Sequence, residues 1–181
     1  MLSTSLTKVV RWQPVVLAFS LTGCGVMQGI TDGTRTTFTA IFYKKIKVLH
    51  LDFTAREVLN PDASESRMLS VPVMVRVYQL KDTKIFDKTT YLQLLKNGEA
   101  ILEAGLLTTR DMVLKPGGDA RLDMPMEEGA KYVAVVGLFC HPDMEKNTWK
   151  LTIEREELEP DEARVIEAGN NTLTLKPVEE Q

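Results

Sequence analysis

The sequence contains few of the residues on which acid–base, metal or disulfide chemistry depends. Its 181 residues include two histidines and two cysteines. Two histidines are little material for catalysis or a metal site, and a secreted domain stapled by disulfides would carry more cysteines. Acidic residues outnumber basic residues by 25 to 22. Because there is also no cluster of Lys and Arg that could follow phosphates, nucleic-acid binding is not indicated.

The apolar run near the N-terminus, residues 15–21, is far too short to cross a bilayer, since a helix needs about 20 apolar residues to do so. Lys8 and Arg11 precede the run and are the only charged residues before Asp32. A basic segment followed by a short apolar one is typical of a secretory signal.

The run leads into Leu21-Thr22-Gly23-Cys24, which resembles the bacterial lipobox. Thr22 and Gly23 are small enough for an extended backbone to enter a peptidase cleft, and Cys24 supplies the sulfur that takes the lipid. Stable anchoring requires more than one acyl chain. The alternatives are an ordinary buried Cys24 or cleavage at another position.

We therefore predict a signal peptide over residues 1–23, a lipidated Cys24 with a tether over residues 24–40, and a β-domain over residues 41–181. The tether is rich in Gly and Thr, which suits a flexible spacer. Gly25 follows the cysteine where an Asp would resemble an inner-membrane retention signal. Its absence favours the outer membrane, with the domain on the periplasmic side.

Apolar residues in the rest of the chain recur mostly with a period of two, which is typical of half-buried strands. The alternating segments are residues 71–78, 120–126, 149–154 and 172–176. Residues 132–140 are almost continuously apolar and predict a central strand. Residues 45–54 alternate but change phase, which predicts a β-bulge. Together these patterns predict a mainly β fold, a two-sheet sandwich of seven or eight strands with a short inserted helix.

The inserted helix is predicted over residues 88–96, with Asp87 as its N-cap and Asn97-Gly98 as its end. Residues 163–176 fit either a short helix or a hairpin, because Pro160 before the segment and Gly169 within it could bracket a helix. The turn sequence Gly169-Asn170-Asn171 favours the hairpin.

No catalytic or metal-binding constellation is apparent. Cys140 and His141 are adjacent, but neighbouring residues on a strand point to opposite faces, so we expect a buried, inert Cys140 and a turn at His141. The acidic segment 154–159 lacks the pattern of a calcium loop and is expected to be a solvated face. The sequence predicts a protein that is not an enzyme and has no metal site or cofactor beyond the lipid on Cys24.

Residues 71–80 read Val-Pro-Val-Met-Val-Arg-Val-Tyr-Gln-Leu. This segment is similar to the Pro-Val-x-Val-Arg-x-Tyr-Gln-Leu strand of the TssJ (SciN) family, the outer-membrane lipoproteins of type VI secretion systems, and other segments also resemble that family. Phe86 and residues 91–94 fit its following helix, and Trp149 fits the family tryptophan. Cys24 lies where the family has its lipobox cysteine.

The resemblance implies a transthyretin-like sandwich that is tethered to the outer membrane and binds the periplasmic domain of the inner-membrane protein TssM. It implies no small-molecule substrate. In the family, the loop between the first two strands carries the contact, here about residues 55–70, with Asn60 as the residue that matches best. The expected binding residues are Leu59, Asn60, Pro61, Asp62, Ala63, Ser64, Glu65, Ser66, Arg67 and Met68. Long loops are often functional, which agrees with this expectation.

Two other functions fit a lipidated sandwich. The first is a pilotin-like or chaperone lipoprotein that escorts an outer-membrane protein and has no affinity for TssM. The second is a ligand-binding or hydrolytic sandwich, which would require polar residues that converge in a pocket near His50 or His141.

Overall fold

The computed structural model describes residues 46–62 and 69–178, which include ten strands and two α-helices. The strands are β1 (Val48–Ala55), β2 (Pro61–Asp62), β3 (Leu69–Ser70), β4 (Val73–Leu80), β5 (Leu106–Leu114), β6 (Asp119–Pro125), β7 (Tyr132–Leu138), β8 (Lys150–Glu154), β9 (Arg164–Gly169) and β10 (Thr172–Leu175). The helices are α1 (Lys84–Lys88) and α2 (Tyr91–Leu102).

Eight strands form two four-stranded sheets, in the orders β10-β9-β1-β6 and β5-β4-β7-β8. The pairs are antiparallel except for β1 and β9, which run parallel. The short strands β2 and β3 pair with each other. Buried residues from both sheets belong to one hydrophobic core. The predicted mainly β, two-sheet sandwich is therefore confirmed.

The alternation in the sequence becomes the two faces of the strands. In β1, Leu49, Leu51 and Phe53 are at most 1% exposed, and the residues between them are partly exposed. The same pattern places Val73, Val75 and Val77 of β4 in the core. The predicted central strand is also confirmed, since four consecutive residues of β7, from Val133 to Val136, are completely buried.

The predicted β-bulge near the start of β1 is wrong. β1 begins at Val48, and its register with β6 is unshifted from Val48 to Thr54. Ile46 is nevertheless 1% exposed, because the chain enters the core before the strand begins. An apolar residue outside the strand therefore produced the change of phase.

The inserted helix is longer than predicted and has a different N-cap. Thr90 precedes α2, and its backbone N–H donates to the Gln93 side chain at 2.9 Å, as in a capping box. Asp87 lies within α1, where it accepts a hydrogen bond from the Thr83 hydroxyl. Among the described residues, no helix is long and apolar enough to cross a membrane.

Asn97 interrupts α2 without ending it, since its φ of −143° and ψ of 37° are not helical and the helix continues to Leu102. Gly98 follows at the point where the helix lies on β4. A Cβ at Gly98 would collide with the Tyr78 hydroxyl, so glycine permits this close approach.

The C-terminal segment forms the predicted hairpin, β9–β10. Its turn places Asn170 and Asn171 at positive φ, 51° and 62°, which asparagine tolerates better than most residues. The expectation of a solvated face over residues 154–159 is wrong in part. Arg155 is 4% exposed and Leu158 is 5% exposed, because a 3-10 turn over Arg155–Glu157 directs both residues inward.

Candidate partner-binding loop

The loop that joins β1 to β4 lies at one end of the sandwich, together with three other connections. Strand pairing fixes this arrangement. Thr54 of β1 pairs with Asp119 of β6, and Val73 of β4 pairs with Leu114 of β5. The β5–β6, β7–β8 and β9–β10 connections therefore meet the loop at the same end, which we call the loop end. Ile46 lies at the opposite end, which we call the tether end.

Asn60 fastens the base of the loop. It is 2% exposed, and its side-chain oxygen accepts from the Cys140 backbone N–H at 2.9 Å. Its amide nitrogen donates to the Pro72 carbonyl at 3.3 Å and lies 3.5 Å from the Cys140 sulfur. Its own carbonyl accepts from Val71 at 3.2 Å. One buried amide therefore joins both sides of the loop to the end of β7.

Leu59 is the second buried residue of the base, with no exposed surface. Its backbone N–H donates to the Ser70 hydroxyl at 2.7 Å, and its carbonyl accepts from Asn171 at 3.1 Å. The β9–β10 turn is thus hydrogen-bonded to the base of the loop. Val58 is 49% exposed beside it, so the neighbouring surface of the base is apolar and accessible.

An ion-pair network holds the loop where it leaves β1. Arg56 Nη2 lies 2.5 Å from Oε1 of Glu167, and Lys176 Nζ lies 2.8 Å from Oε2 of the same carboxylate. Both cations lower the pKa of Glu167 below its usual value, and the hydrogen bond from Lys176 has the larger effect. The Arg56 backbone also bonds to Ala168 of β9 and to Gly117 of the β5–β6 connection, so both of these neighbours fix the loop.

The structure places the predicted binding residues in two groups. Leu59 and Asn60 are buried in the base, and Pro61–Asp62 pairs with Leu69–Ser70 to form a small β-ladder. The ladder joins the two sides of the loop at its base. Because Leu59 and Asn60 are buried, they position the loop and do not present a surface for a partner. Residues 63–68 lie outside the described residues, as do Cys24, the signal peptide and the tether, so their predicted roles stay predictions.

Cys140 is exposed, and the expectation of a buried cysteine is therefore wrong. β7 ends at Leu138, so Cys140 lies beyond the strand in the β7–β8 connection. Sequence reasoning also missed its bond to Asn60, because the two residues are 80 positions apart. In the described part of the chain, no group of three or more His, Cys, Asp or Glu residues could hold a metal ion.

Comparisons with known proteins identify the family. A family model for the type VI secretion lipoproteins VasD, EvfM and TssJ matches residues 47–175. A chain in a structure described as "Type VI membrane complex" is 44% identical, with a TM-score of 0.68, over 73% of this chain and 99% of that one. A chain in a structure described as "T6SS protein TssM C-terminal domain (869-1107) from EAEC" is 43% identical, with a TM-score of 0.65, over 74% of this chain and 100% of that one.

A more distant structure shares the fold. Serratia marcescens Lip, described as a membrane-bound component of the type VI secretion system, is 21% identical, with a TM-score of 0.62, over 72% of this chain and 98% of that one. No curated protein sequence matches the chain. The matched family consists of structural lipoproteins and not of enzymes. The chain therefore belongs to the TssJ family of type VI secretion lipoproteins.

Proposed function

We propose that this lipoprotein is attached to the outer membrane by a lipid on Cys24 and binds the periplasmic domain of TssM through the loop over residues 55–70, so that it links the two membranes. The observation that carries this proposal is the 43% identity to a chain in a structure named for the TssM C-terminal domain. The predicted signal sequence and lipobox support an anchor at Cys24, and the fixed base of the loop supports a binding surface at the loop end.

The arrangement of the sandwich supports a linking role. β1 has eight residues and therefore spans roughly 26 Å from the tether end to the loop end. About 22 residues separate Cys24 from Ile46, which allows a reach of at most roughly 75 Å. An anchor at one end leaves the loop at the other end free to face away from the membrane.

The partner claim is tested by titrating the unlipidated mature chain, starting at Cys24, with the periplasmic segment of TssM from the same gene cluster. We expect saturable binding that is lost in a double charge reversal at the loop, Glu65→Arg with Arg67→Glu. The matched control reverses an exposed pair at the tether end, Glu128→Lys with Lys131→Glu. If the two variants bind equally well, the loop is not part of the interface. If the unmodified domain does not bind, TssM is not the partner.

The anchor claim is tested separately in cells. Cys24→Ser should abolish incorporation of labelled palmitate and shift the protein from the outer-membrane fraction to the soluble periplasmic fraction. Cys140→Ser is the control, because this second cysteine lies in the folded domain. Labelling that persists in the Cys24 variant would contradict the lipobox assignment.

A further inference from the structure

An open groove lies between helix α2 and strand β5. Glu99 and Ala100 of α2, together with Glu103 just after it, form one wall, and residues 106–109 of β5 form the other. The groove has a volume of about 510 Å³. Both glutamates are exposed, and residues 106–109 are half-buried. We call this feature the α2–β5 groove.

The two walls of the groove differ in chemistry. Among the described residues, no basic side chain forms an ion pair with Glu99 or Glu103, so the helix wall presents two negative charges. On the strand wall, Leu106 and Leu107 pack against the core but remain partly accessible. A segment that fills this groove should therefore combine apolar side chains with Lys or Arg.

The strand wall belongs to the edge of a sheet. In the described part of the chain, β5 pairs with β4 alone, so one side of its backbone is available to an extended segment. Just beyond the groove, Arg110 is exposed although it pairs with the buried Val77 and so lies on the core-facing side. A charge at such a position opposes pairing with a second copy along the whole edge. The edge therefore favours a short extended segment at the groove.

The chain enters the domain close to this groove. Arg155 donates from Nη2 to the Ile46 carbonyl at 2.9 Å and from Nη1 to the Glu127 carbonyl at 2.8 Å. Gly129 lies in the same turn as Glu127, and a Cβ at Gly129 would lie 3.6 Å from the Leu107 side chain. One arginine side chain and one turn therefore separate Ile46 from the groove, and four or five extended residues cover such a distance, roughly 15 Å.

The residues immediately before Ile46 have the composition that the groove requires. Residues 38–45 read Phe-Thr-Ala-Ile-Phe-Tyr-Lys-Lys; they lie outside the described residues, and we call them the proximal segment. Half of the segment is Phe, Ile or Tyr, which favour extended structure, and its two lysines match the two glutamates in number and oppose them in charge. Residues 25–37 instead hold three glycines and four threonines, a composition that suits a free spacer.

We propose that the proximal segment lies in the α2–β5 groove, with its apolar side chains against the strand wall and its lysines towards the acidic wall. The segment joins Ile46 directly, so its effective concentration at the groove is of millimolar order or higher and weak contacts hold it there. This contact goes beyond the proposed function. If Cys24 carries the lipid, as proposed above, docking leaves residues 24–37 as the free tether, with a reach of at most roughly 50 Å.

The test is amide hydrogen exchange of the unlipidated mature chain, starting at Cys24, followed by mass spectrometry of peptides that cover the proximal segment. Neither lipid nor TssM is present, so the result is independent of the proposed function. We expect the segment to exchange about tenfold or more slowly than a synthetic peptide of the same sequence, because docked amides exchange only when the contact opens. Exchange at the rate of the synthetic peptide would overturn the proposal.

Charge reversal in the groove tests the site. Glu99→Lys with Glu103→Lys should bring the exchange of the segment to within about threefold of the synthetic peptide, because like charges then face each other. The matched control, Glu156→Lys with Glu157→Lys, makes the same change at two other exposed glutamates of the tether end and should keep the segment protected. Equal loss of protection in both double variants would remove the groove as the site.

A change in the segment itself gives the reciprocal measurement. Phe38→Ser with Phe42→Ser removes two apolar side chains without altering the groove. We expect residues 106–109 to exchange faster in this variant, because the segment no longer covers the edge of β5. Unchanged exchange of these residues would contradict docking in the groove.

Two other occupants give different results. If a second copy fills the groove, protection of the segment should rise with protein concentration, whereas docking within one chain is independent of concentration. If the segment binds lipid instead, protection should appear only when vesicles of phosphatidylethanolamine and phosphatidylglycerol are added, because aromatic residues and lysines also suit a membrane interface. Either result would overturn the proposal.

Discussion

Replacement of Asn60 by alanine should destabilise the domain by about 2–4 kcal/mol. The change removes the acceptor of the Cys140 N–H and the donor to the Pro72 carbonyl. An intramolecular hydrogen bond contributes about 0.5–1.5 kcal/mol, and a buried group left without a partner costs about 1–3 kcal/mol. These two terms set the range.

The measurement is equilibrium unfolding in urea, followed by tryptophan fluorescence. We expect a lower midpoint at an unchanged m-value, since the surface exposed on unfolding is the same. Cys140→Ala is the control, because it keeps the backbone N–H and removes the sulfur contact at 3.5 Å. It should change the free energy of unfolding by less than about 1 kcal/mol.

Asn60→Asp makes the test stricter. Aspartate keeps an acceptor for Cys140 but places a second oxygen against the Pro72 carbonyl, where the amide donates. A buried carboxylate oxygen that faces a carbonyl and receives no hydrogen bond makes the charged form costly. The Asp variant should therefore be at least as unstable as the Ala variant at neutral pH and recover partly in acid. If the free energy of unfolding of Asn60→Ala is within about 0.5 kcal/mol of that of the unmodified domain, Asn60 does not hold the loop base.

Three other substitutions test separate parts of the structure. Gly98→Ala should destabilise the domain by about 1–3 kcal/mol despite the better helix propensity of alanine, because its Cβ meets the Tyr78 hydroxyl. Adding Tyr78→Phe removes that hydroxyl and should recover most of the loss in urea unfolding. Lys150→Met should cost about 1–2 kcal/mol by the same assay, because Nζ donates to the Phe86 and Asp87 carbonyls at 3.1 and 3.2 Å and lies 4.9 Å from the centre of the Phe86 ring. Glu167→Gln should lower the Tm at neutral pH. Since the folded pKa of Glu167 is lowered, its contribution is present above the unfolded value of about 4.3 and is lost as the pH falls through the folded pKa. The difference in Tm should therefore shrink in acid, and a difference that is independent of pH would refute the ion-pair explanation.

Periodicity was sufficient to predict most strands, because a strand with one face in the core must alternate. It misplaced the start of β1, since Ile46 is buried by Arg155 and the β6–β7 turn, which are distant in sequence. The N-cap of α2 could have been found from the sequence. Thr90 and Gln93 have the spacing of a capping box, and Asp87 competed with them because it is also a good capping residue.

The buried polar residues were beyond the reach of sequence reasoning. Arg155 stands among glutamates, where a charged residue is normally solvated, and its acceptors lie up to 109 positions away. Asn60 precedes a proline in a polar segment, which indicates a turn but not a buried amide. The sequence placed the candidate loop through a family resemblance, whereas the role of each residue at its base depends on contacts that only the fold brings together.

The size of the loop limits what it can bind by itself. Six residues, 63–68, separate the described parts of the loop, whereas a standard interface uses about 20–30 residues on each side. A stable complex therefore needs neighbouring surface at the loop end. Val58 and Met144 are 49% and 51% exposed there, on the loop base and on the β7–β8 connection, and apolar residues of this kind suit the centre of an interface better than its rim. Asn60 and the Arg56 network already fix the base. These surfaces therefore lose little conformational freedom on binding. A partner that covers both connections would be released slowly, and slow release is the property that a link under tension requires.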